Sequence, residues 1–257
     1  MNKDKILEHL KSDIFGRELI LLDEIGSTND YAKELAKGGA SHGTAVIASF
    51  QTKGKGRLGR SFFSPKGTGI YMSLILRPSF SADKNMLITS FAAAAVASAI
   101  EKVSSALPKI KWVNDIYLNN KKVCGILTES LLNSDTGELQ YIILGIGVND
   151  KKIDFPPELS EIATSIGNET GEDISREVLS SHILTELDRL YKTFDEGSFL
   201  EDCRRKSNIL GREIKVIRGD ESYSAKALDI DNLGGLIIEK DGKREILYSG
   251  EVSIRLA

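Results

Sequence analysis

Between Ile110 and Asn149 the chain offers three strand-like stretches with no room for a helix between them: IKWVNDIYL, KKVCGILTES and LQYIILGIGVN. Asn119-Asn120 and Asp135-Thr136-Gly137 are the turns that join them. Parallel neighbours need a crossover of a dozen or more residues, whereas a tight turn can only return the chain antiparallel. This region therefore excludes a βαβ array and predicts a largely antiparallel sheet. Residues 18–24, 44–51 and 69–77 read as further strands, the last closed by Pro78.

Helices cover that sheet. Ser27-Thr28-Asn29-Asp30 opens one that stops at Gly38-Gly39, and residues 86–103 form a second with few polar positions, hence a central one. Ser175 caps a third, whose apolar stripe is Val178, Leu179, Ile183, Leu187, Leu190 and Phe194. Beyond Cys203 the texture changes, and five short strands crowd into residues 211–257, which predicts a small barrel. The expected class is α+β: a mixed, largely antiparallel sheet with packed helices over residues 1–208, and a small C-terminal β-barrel over residues 209–257.

A hydrophobic fraction of 41% and a charged fraction of 28% are ordinary for a soluble globular protein of 257 residues. The charged N-terminus does not read as a signal peptide, and LITSFAAAAVASAIEKV, the nearest approach to a membrane span, reads as a packed helix. Cys124 and Cys203 have no metal-ligand spacing and cannot build a disulfide framework, so a cytoplasmic location is expected. With 34 basic and 37 acidic residues, net −3, there is no global field for nucleic acid. Any polyanion must be caught locally.

Positive charge is most concentrated in FQTKGKGRLGRSFFSP, residues 50–65. Gly54, Gly56 and Gly59 spell the dinucleotide pattern G-x-G-x-x-G, and residues 54–61 come one substitution from a Walker A loop. Both need a helix directly afterwards, because its N-terminus completes the phosphate site. Ser64-Pro65-Lys66-Gly67 cannot carry one, a strand follows, and Arg60 stands where the Walker lysine belongs. A nucleic-acid patch would want more aromatics than Phe62-Phe63. What remains is a glycine-rich loop whose N–H groups can approach a ligand closely and whose arginines can fork onto phosphate or carboxylate oxygens.

The loop resembles the G-[RK]-G-R-x-G-R signature of biotin protein ligases, and other landmarks of that family follow in order. Gly26-Ser27-Thr28-Asn29 is similar to its S-T-N element, and Lys111-Trp112-Val113-Asn114-Asp115 to K-W-P-N-D with valine for proline. Residues 122–127, KVCGIL, match K-x-x-G-I-L; residues 145–149, GIGVN, match G-I-G-x-N; the terminal SGEVSIR resembles the end of the family's small barrel. The likeness runs from about Leu19 to the C-terminus, and five ordered motifs are far more specific than one.

The resemblance implies a class II synthetase-like biotin/lipoate ligase catalytic domain with a Src-homology-3-like C-terminal barrel. It implies a biotin–[biotin carboxyl-carrier protein] ligase that turns biotin and ATP, with Mg²⁺, into biotinyl-5′-AMP and pyrophosphate. The biotin then passes to one lysine of the biotin carboxyl carrier domain of acetyl-CoA carboxylase or a related carboxylase. By the same resemblance Lys122, Arg57 and Arg60 are catalytic. Biotin is bound by Ser27, Thr28, Asn29, Gln51, Gly54, Lys55, Gly56, Arg57, Lys122 and Gly125. ATP is bound by Arg57, Arg60, Phe62, Lys111, Trp112, Asn114, Lys122 and Asn149, and Mg²⁺ by Asp115 and Asn149. Members that also repress transcription carry an N-terminal winged helix-turn-helix; about twenty-five residues precede Ser27 here, so a monofunctional enzyme without a DNA-binding domain is expected. Oligomeric state is left open, a homodimer included.

Each residue also has a plainer reading. Ser27 is a natural N-cap, Asn114-Asp115 a common turn pair, Trp112 a core residue and Cys124 a small buried one. Strand alternation puts Lys122 and Cys124 on one face and Lys121 on the other. Residues 69–76 are expected to supply an apolar wall for biotin's ring and chain. Two rivals stand beside the ligase. A lipoate ligase or octanoyl transferase has a similar fold, with Cys124 as the thioester candidate; a non-catalytic regulatory or nucleic-acid-binding module would keep the basic loop without needing Lys122.

Overall fold

The computed structural model describes residues 1–78, 80, 82–132, 138–248 and 252–256. The expected turn at Asp135-Thr136-Gly137 and the first residues of the SGEVSIR motif lie outside them. Seven strands form the main sheet: β1 (Leu19–Leu22), β2 (Ala45–Ala48), β3 (Gly69–Leu76), β4 (Lys109–Lys111), β5 (Asp115–Leu118), β6 (Lys121–Leu132) and β7 (Leu139–Asn149). Their order is β1-β2-β3-β7-β6-β5-β4. Only β1 and β2 run parallel; the other pairs are antiparallel, as the run of turns predicted. Asn119 and Asn120 take the left-handed φ values of 45° and 66° that a two-residue hairpin turn demands.

One expected strand is two. The stretch IKWVNDIYL folds back on itself at Trp112-Val113-Asn114, so that Lys111 of β4 pairs with Asp115 of β5. Asn114 supports the turn by donating from Nδ2 to the Ile126 carbonyl at 3.1 Å, and Trp112 turns away to donate from Nε1 to the Gly234 carbonyl at 2.9 Å. Periodicity alone could not show this break, because both partners lie far off in the chain.

The helices are α1 (Lys3–His9), α2 (Thr28–Lys37), α3 (Leu87–Val103), α4 (Pro157–Ser160), α5 (Ile166–Thr170), α6 (Arg176–Tyr191) and α7 (Phe199–Lys206). On one face of the sheet α2 packs Ala32 and Ala36 against Val46, Ile75, Tyr141 and Ile143. On the other, α3 lies at the centre of the larger core with α6, α7 and α1 around it. Residues Lys84–Val103 are long and apolar enough to cross a membrane, but 72% of that window is buried, which makes it the central helix expected. Ser175 Oγ accepts from the Val178 amide and caps α6; Phe194 of the predicted stripe is buried but sits one turn beyond the helix, in the 3₁₀ segment Phe194–Glu196.

The C-terminal strands are β8 (Glu213–Arg218), β9 (Glu221–Ile230), β10 (Leu236–Lys240), β11 (Lys243–Leu247) and β12 (Val252–Leu256), ordered β11-β10-β9-β8-β12 and antiparallel throughout. Among the described residues β11 and β12 are not paired, so the meander is an open five-stranded sheet with no hydrogen-bonded seam. Its inner residues Ile214, Val216, Ala225 and Ile238 belong to the same core as α3.

Candidate active site

A single rung of paired residues crosses all seven strands: Leu22, Ala48, Tyr71, Gly147, Gly125, Asp115 and Lys111. Two of its middle members are glycines, and Gly145 lies two residues before Gly147 on the same face. The result is a bare floor, and other side chains rest on it. A Cβ at Gly147 would stand 2.5 Å from the Phe62 ring, and one at Gly125 3.2 Å from it. A Cβ at Gly145 would stand 2.3 Å from Asn29 Oδ1.

The cleft above this floor collects residues from four places. The N-terminus of α2 brings Ser27, Thr28 and Asn29; the end of the second strand brings Gln51; the basic loop brings Lys55, Gly56, Arg57 and Phe62; the β4–β6 region brings Asn114, Lys122 and Gly125. Ser27 is the helix cap, accepting from the Asp30 amide at 3.5 Å, so capping and cleft position coincide. The loop is folded, with Gly56 N–H donating to Arg60 O, Arg60 N–H to Arg57 O and Phe62 N–H to Gly54 O. Gly54 faces inward, where a Cβ would lie 2.3 Å from Ser64 Oγ.

Two cations are anchored by consecutive residues of the β4–β5 hairpin. Arg57 Nη1 donates to Asn114 Oδ1 at 2.8 Å. Lys122 Nζ lies 2.6 Å from Asp115 Oδ1. Burial lowers the Arg57 pKa from its ordinary value, and the Asp115 carboxylate opposes that shift. Lys122 reaches the cleft through an irregularity. Ile116 pairs with Cys124 but Tyr117 with Lys122, so β6 carries one extra residue at Val123. Such a bulge re-aims a side chain. Lys122 therefore faces the cleft while Cys124 is fully buried in the α3 core, which corrects the expectation that they share a face. Cys124 is fully buried and absent from the cleft lining, and burial pushes its thiol well up, both of which disfavour a thioester nucleophile.

Other expected residues sit elsewhere. Arg60 is exposed on the loop. Lys111 lies over the Tyr117 ring at 5.1 Å, Trp112 is buried against Gly234, and Asn149 donates to the Thr164 carbonyl at 3.0 Å. Residues 69–76 do not make a purely apolar wall: Tyr71 and Met72 line the cleft, and the fully buried Ser73 lies beneath Thr28 and Asn29. Ser73 and Glu129 were not foreseen. Ser73 is the one aliphatic hydroxyl in GIYMSLIL, and Glu129 follows Gly125 by four residues on the same strand face. Their partners are 44 to 100 residues away.

Known proteins with this arrangement can now be compared. A model of the biotin/lipoate A/B protein ligase family matches residues 21–149, and one of the biotin protein ligase C terminal domain matches residues 209–255. The bifunctional ligase/repressor BirA of Bacillus spizizenii is 36% identical over 257 residues, covering 99% of this chain and 79% of its own. This chain belongs to the biotin protein ligase family. The biotin–[acetyl-CoA-carboxylase] ligase of Paracoccus denitrificans is 30% identical over 241 residues, covering 90% of this ligase and 98% of its own length. The biotin protein ligase from Aquifex aeolicus in complex with biotin and ATP superposes with a TM-score of 0.81 at 32% identity, covering 94% of this ligase and all of that chain.

The floor of this ligase yields a first prediction. Asn29 is 5% exposed and hydrogen-bonded at both ends of its amide, so it cannot yield to a methyl group at Gly145. Gly145→Ala is expected to cost about 1–3 kcal/mol of stability as overpacking and to weaken biotin binding. Gly147→Ala meets the Phe62 ring first, which its loop can lift, and costs less. Denaturant midpoints of the two variants check the order; equal losses contradict it.

Proposed function

We propose that this ATP-dependent biotin ligase brings the biotin carboxylate against the α-phosphate of ATP above the glycine floor, with Lys122, Arg57 and Arg60 holding the two anions. A carboxylate oxygen bonds to the α-phosphorus, the bond from that phosphorus to its bridging oxygen breaks, and pyrophosphate leaves with the electrons. A carrier lysine amine then attacks the acyl carbon, AMP departs, and a proton is lost from nitrogen to leave the amide. Two like-charged reactants must meet, so fixed positive charge is the main requirement. The observation that carries this reading is the pairing of adjacent anchors: Asn114 on Arg57 and Asp115 on Lys122.

The remaining assignments are proposals on the same footing. Ser27, Thr28, Asn29 and Gln51 meet the ring end of biotin, with Lys55, Gly56 and Gly125 around it. The enclosed part of the cleft measures about 50 Å³, far below the ~300 Å³ at which small-molecule pockets begin, so Phe62 lifts from the floor on binding and stacks beside the nucleotide. Among the described residues no group of three His, Cys, Asp or Glu side chains can hold a metal. A Mg²⁺ entering with ATP would find at most Asp115 and the amide oxygen of Asn149 as ligands from this chain, and would supply further positive charge against the phosphates. The acceptor is a carrier domain of acetyl-CoA carboxylase or a related carboxylase, in keeping with the name of the Paracoccus relative. Residues 1–208 form the catalytic domain and residues 209–257 the small one, and two free buried cysteines suit the cytoplasm.

Supplying ATP with either biotin or lipoate and following pyrophosphate release tests the reading. Release with biotin and almost none with lipoate is expected. Comparable release with lipoate overturns it.

A further inference from the structure

A chain of hydrogen bonds runs under the ring end of the cleft, and unambiguous groups pin both its ends. At one end Glu129 reaches α2: Oε1 lies 2.5 Å from Lys33 Nζ, and Oε2 accepts from Asn29 Nδ2 at 2.7 Å. Lys33 and Asn29 are one helical turn apart and clamp the same carboxylate. An ionised carboxylate only accepts, so the Asn29 amide must turn its nitrogen to Glu129 and its oxygen to Ser73. Ser73 Oγ stands 2.6 Å from that oxygen and gives it its single proton.

The polarity then propagates. Ser73 Oγ is 2.8 Å from Thr28 Oγ1, and with its proton committed it can act there only as acceptor. At the far end the Thr28 amide, which only donates, gives to Gln51 Oε1 at 2.8 Å; Thr28 Oγ1 lies 3.0 Å from the same oxygen, and its one proton is divided between that oxygen and Ser73 Oγ. Gln51 must therefore turn Nε2 the other way, where among the described residues it meets Ser64 Oγ at 3.4 Å. Neither amide is free to flip. The outcome is a fixed pattern at the cleft: one good donor, Gln51 Nε2, with acceptor capacity on the Thr28 hydroxyl, which Ser73 backs from the buried side. A cyclic urea presents the complement, one carbonyl acceptor between two N–H donors.

We propose that Glu129 is a positioning residue that fixes the acceptor side of the pocket for the ureido ring of biotin, acting through Asn29, Ser73 and Thr28. The inference rests on the reading of this cleft as the biotin site. Glu129→Gln keeps the size of the side chain but allows it to donate, so the Asn29 amide is no longer held one way round.

The test measures biotinyl-adenylate formation by the full chain. For Glu129→Gln the biotin KM rises about tenfold, the scale of one mispaired hydrogen bond, while kcat and the ATP KM stay within about twofold. In a Ser73→Ala background the effect of Glu129→Gln largely disappears, because the link to Thr28 is gone; a merely structural role would leave it intact. An unchanged biotin KM, an equal rise in the ATP KM, or full additivity with Ser73→Ala each overturns the proposal. If Glu129→Gln proves too unstable to assay, Ser73→Ala alone decides: its biotin KM rises about tenfold, and an unchanged value overturns the relay. A wild-type protein that forms adenylate with normal biotin KM while these variants do likewise sinks only the relay, whereas one that forms no biotinyl-adenylate sinks the site reading too.

Discussion

Replacing Lys122 with alanine is expected to slow biotinyl-adenylate formation about 10²–10³-fold, the scale of removing one preorganised stabilising donor. The backbone at this position is held independently of the side chain, since Lys122 N–H donates to the Ile162 carbonyl and its own carbonyl accepts from Thr164 N–H, both at 2.9 Å. The variant should therefore fold, with a thermal midpoint close to that of the parent protein. What it loses is the cation beside Gly125, and with it the counter-charge to Asp115. Single-turnover pyrophosphate release checks the prediction. An undiminished rate in a folded variant removes Lys122 from the chemistry and revives a pure binding role for the basic loop.

Asp150→Asn is expected to stabilise the protein in alkaline solution. Asp150 follows Asn149 at the end of β7; it is fully buried, and neither carboxylate oxygen has a well-formed hydrogen bond among the described residues. Burial pushes its pKa up to about 7 from an ordinary 3.8, with Lys151, Arg176 and the amides of residues 150 and 151 relieving only part of the cost. Between those values the folded state keeps a proton that the unfolded chain gives up. Its contribution to stability is therefore fullest below about pH 4 and is lost as pH rises through about 7. The gap from 3.8 to about 7 corresponds to up to about 4 kcal/mol. An amide carries no such charge, so the variant's advantage in urea midpoint is largest at pH 8 and shrinks toward pH 4. A difference that does not vary with pH contradicts the assignment.

Much of this site was legible before any coordinates, for an identifiable reason: its residues cluster in short segments whose chemistry is local. Turn residues reveal hairpins, so the antiparallel core of the sheet and all five C-terminal strands could be read from Asn, Gly and Asp positions. Lys122, Gly125 and the loop cations stand out as pattern and charge. What stayed hidden depends on contacts between distant parts of the chain. Nothing around Glu129 points to Asn29 a hundred residues earlier, and nothing around Trp112 points to Gly234. The extra residue at Val123, which decides which way Lys122 faces, is invisible to alternation because alternation assumes its absence. Short helices such as α1 and α7 have too few turns to show a period.

Among the described residues the small sheet offers no side chain to the cleft, yet Trp112 ties it to the hairpin that does. Asp231 organises the turn on the other side of that bond, accepting from the amides of Leu233 and Gly235 through Oδ1 at 2.9 and 2.7 Å. Two residues beyond Trp112 stands Asn114, the seat of Arg57. Through that bond the C-terminal module buttresses the cleft: a lesion in a remote surface turn would be paid out as a slack guanidinium, and stripping away those strands would blunt the enzyme by way of the hairpin that seats Arg57.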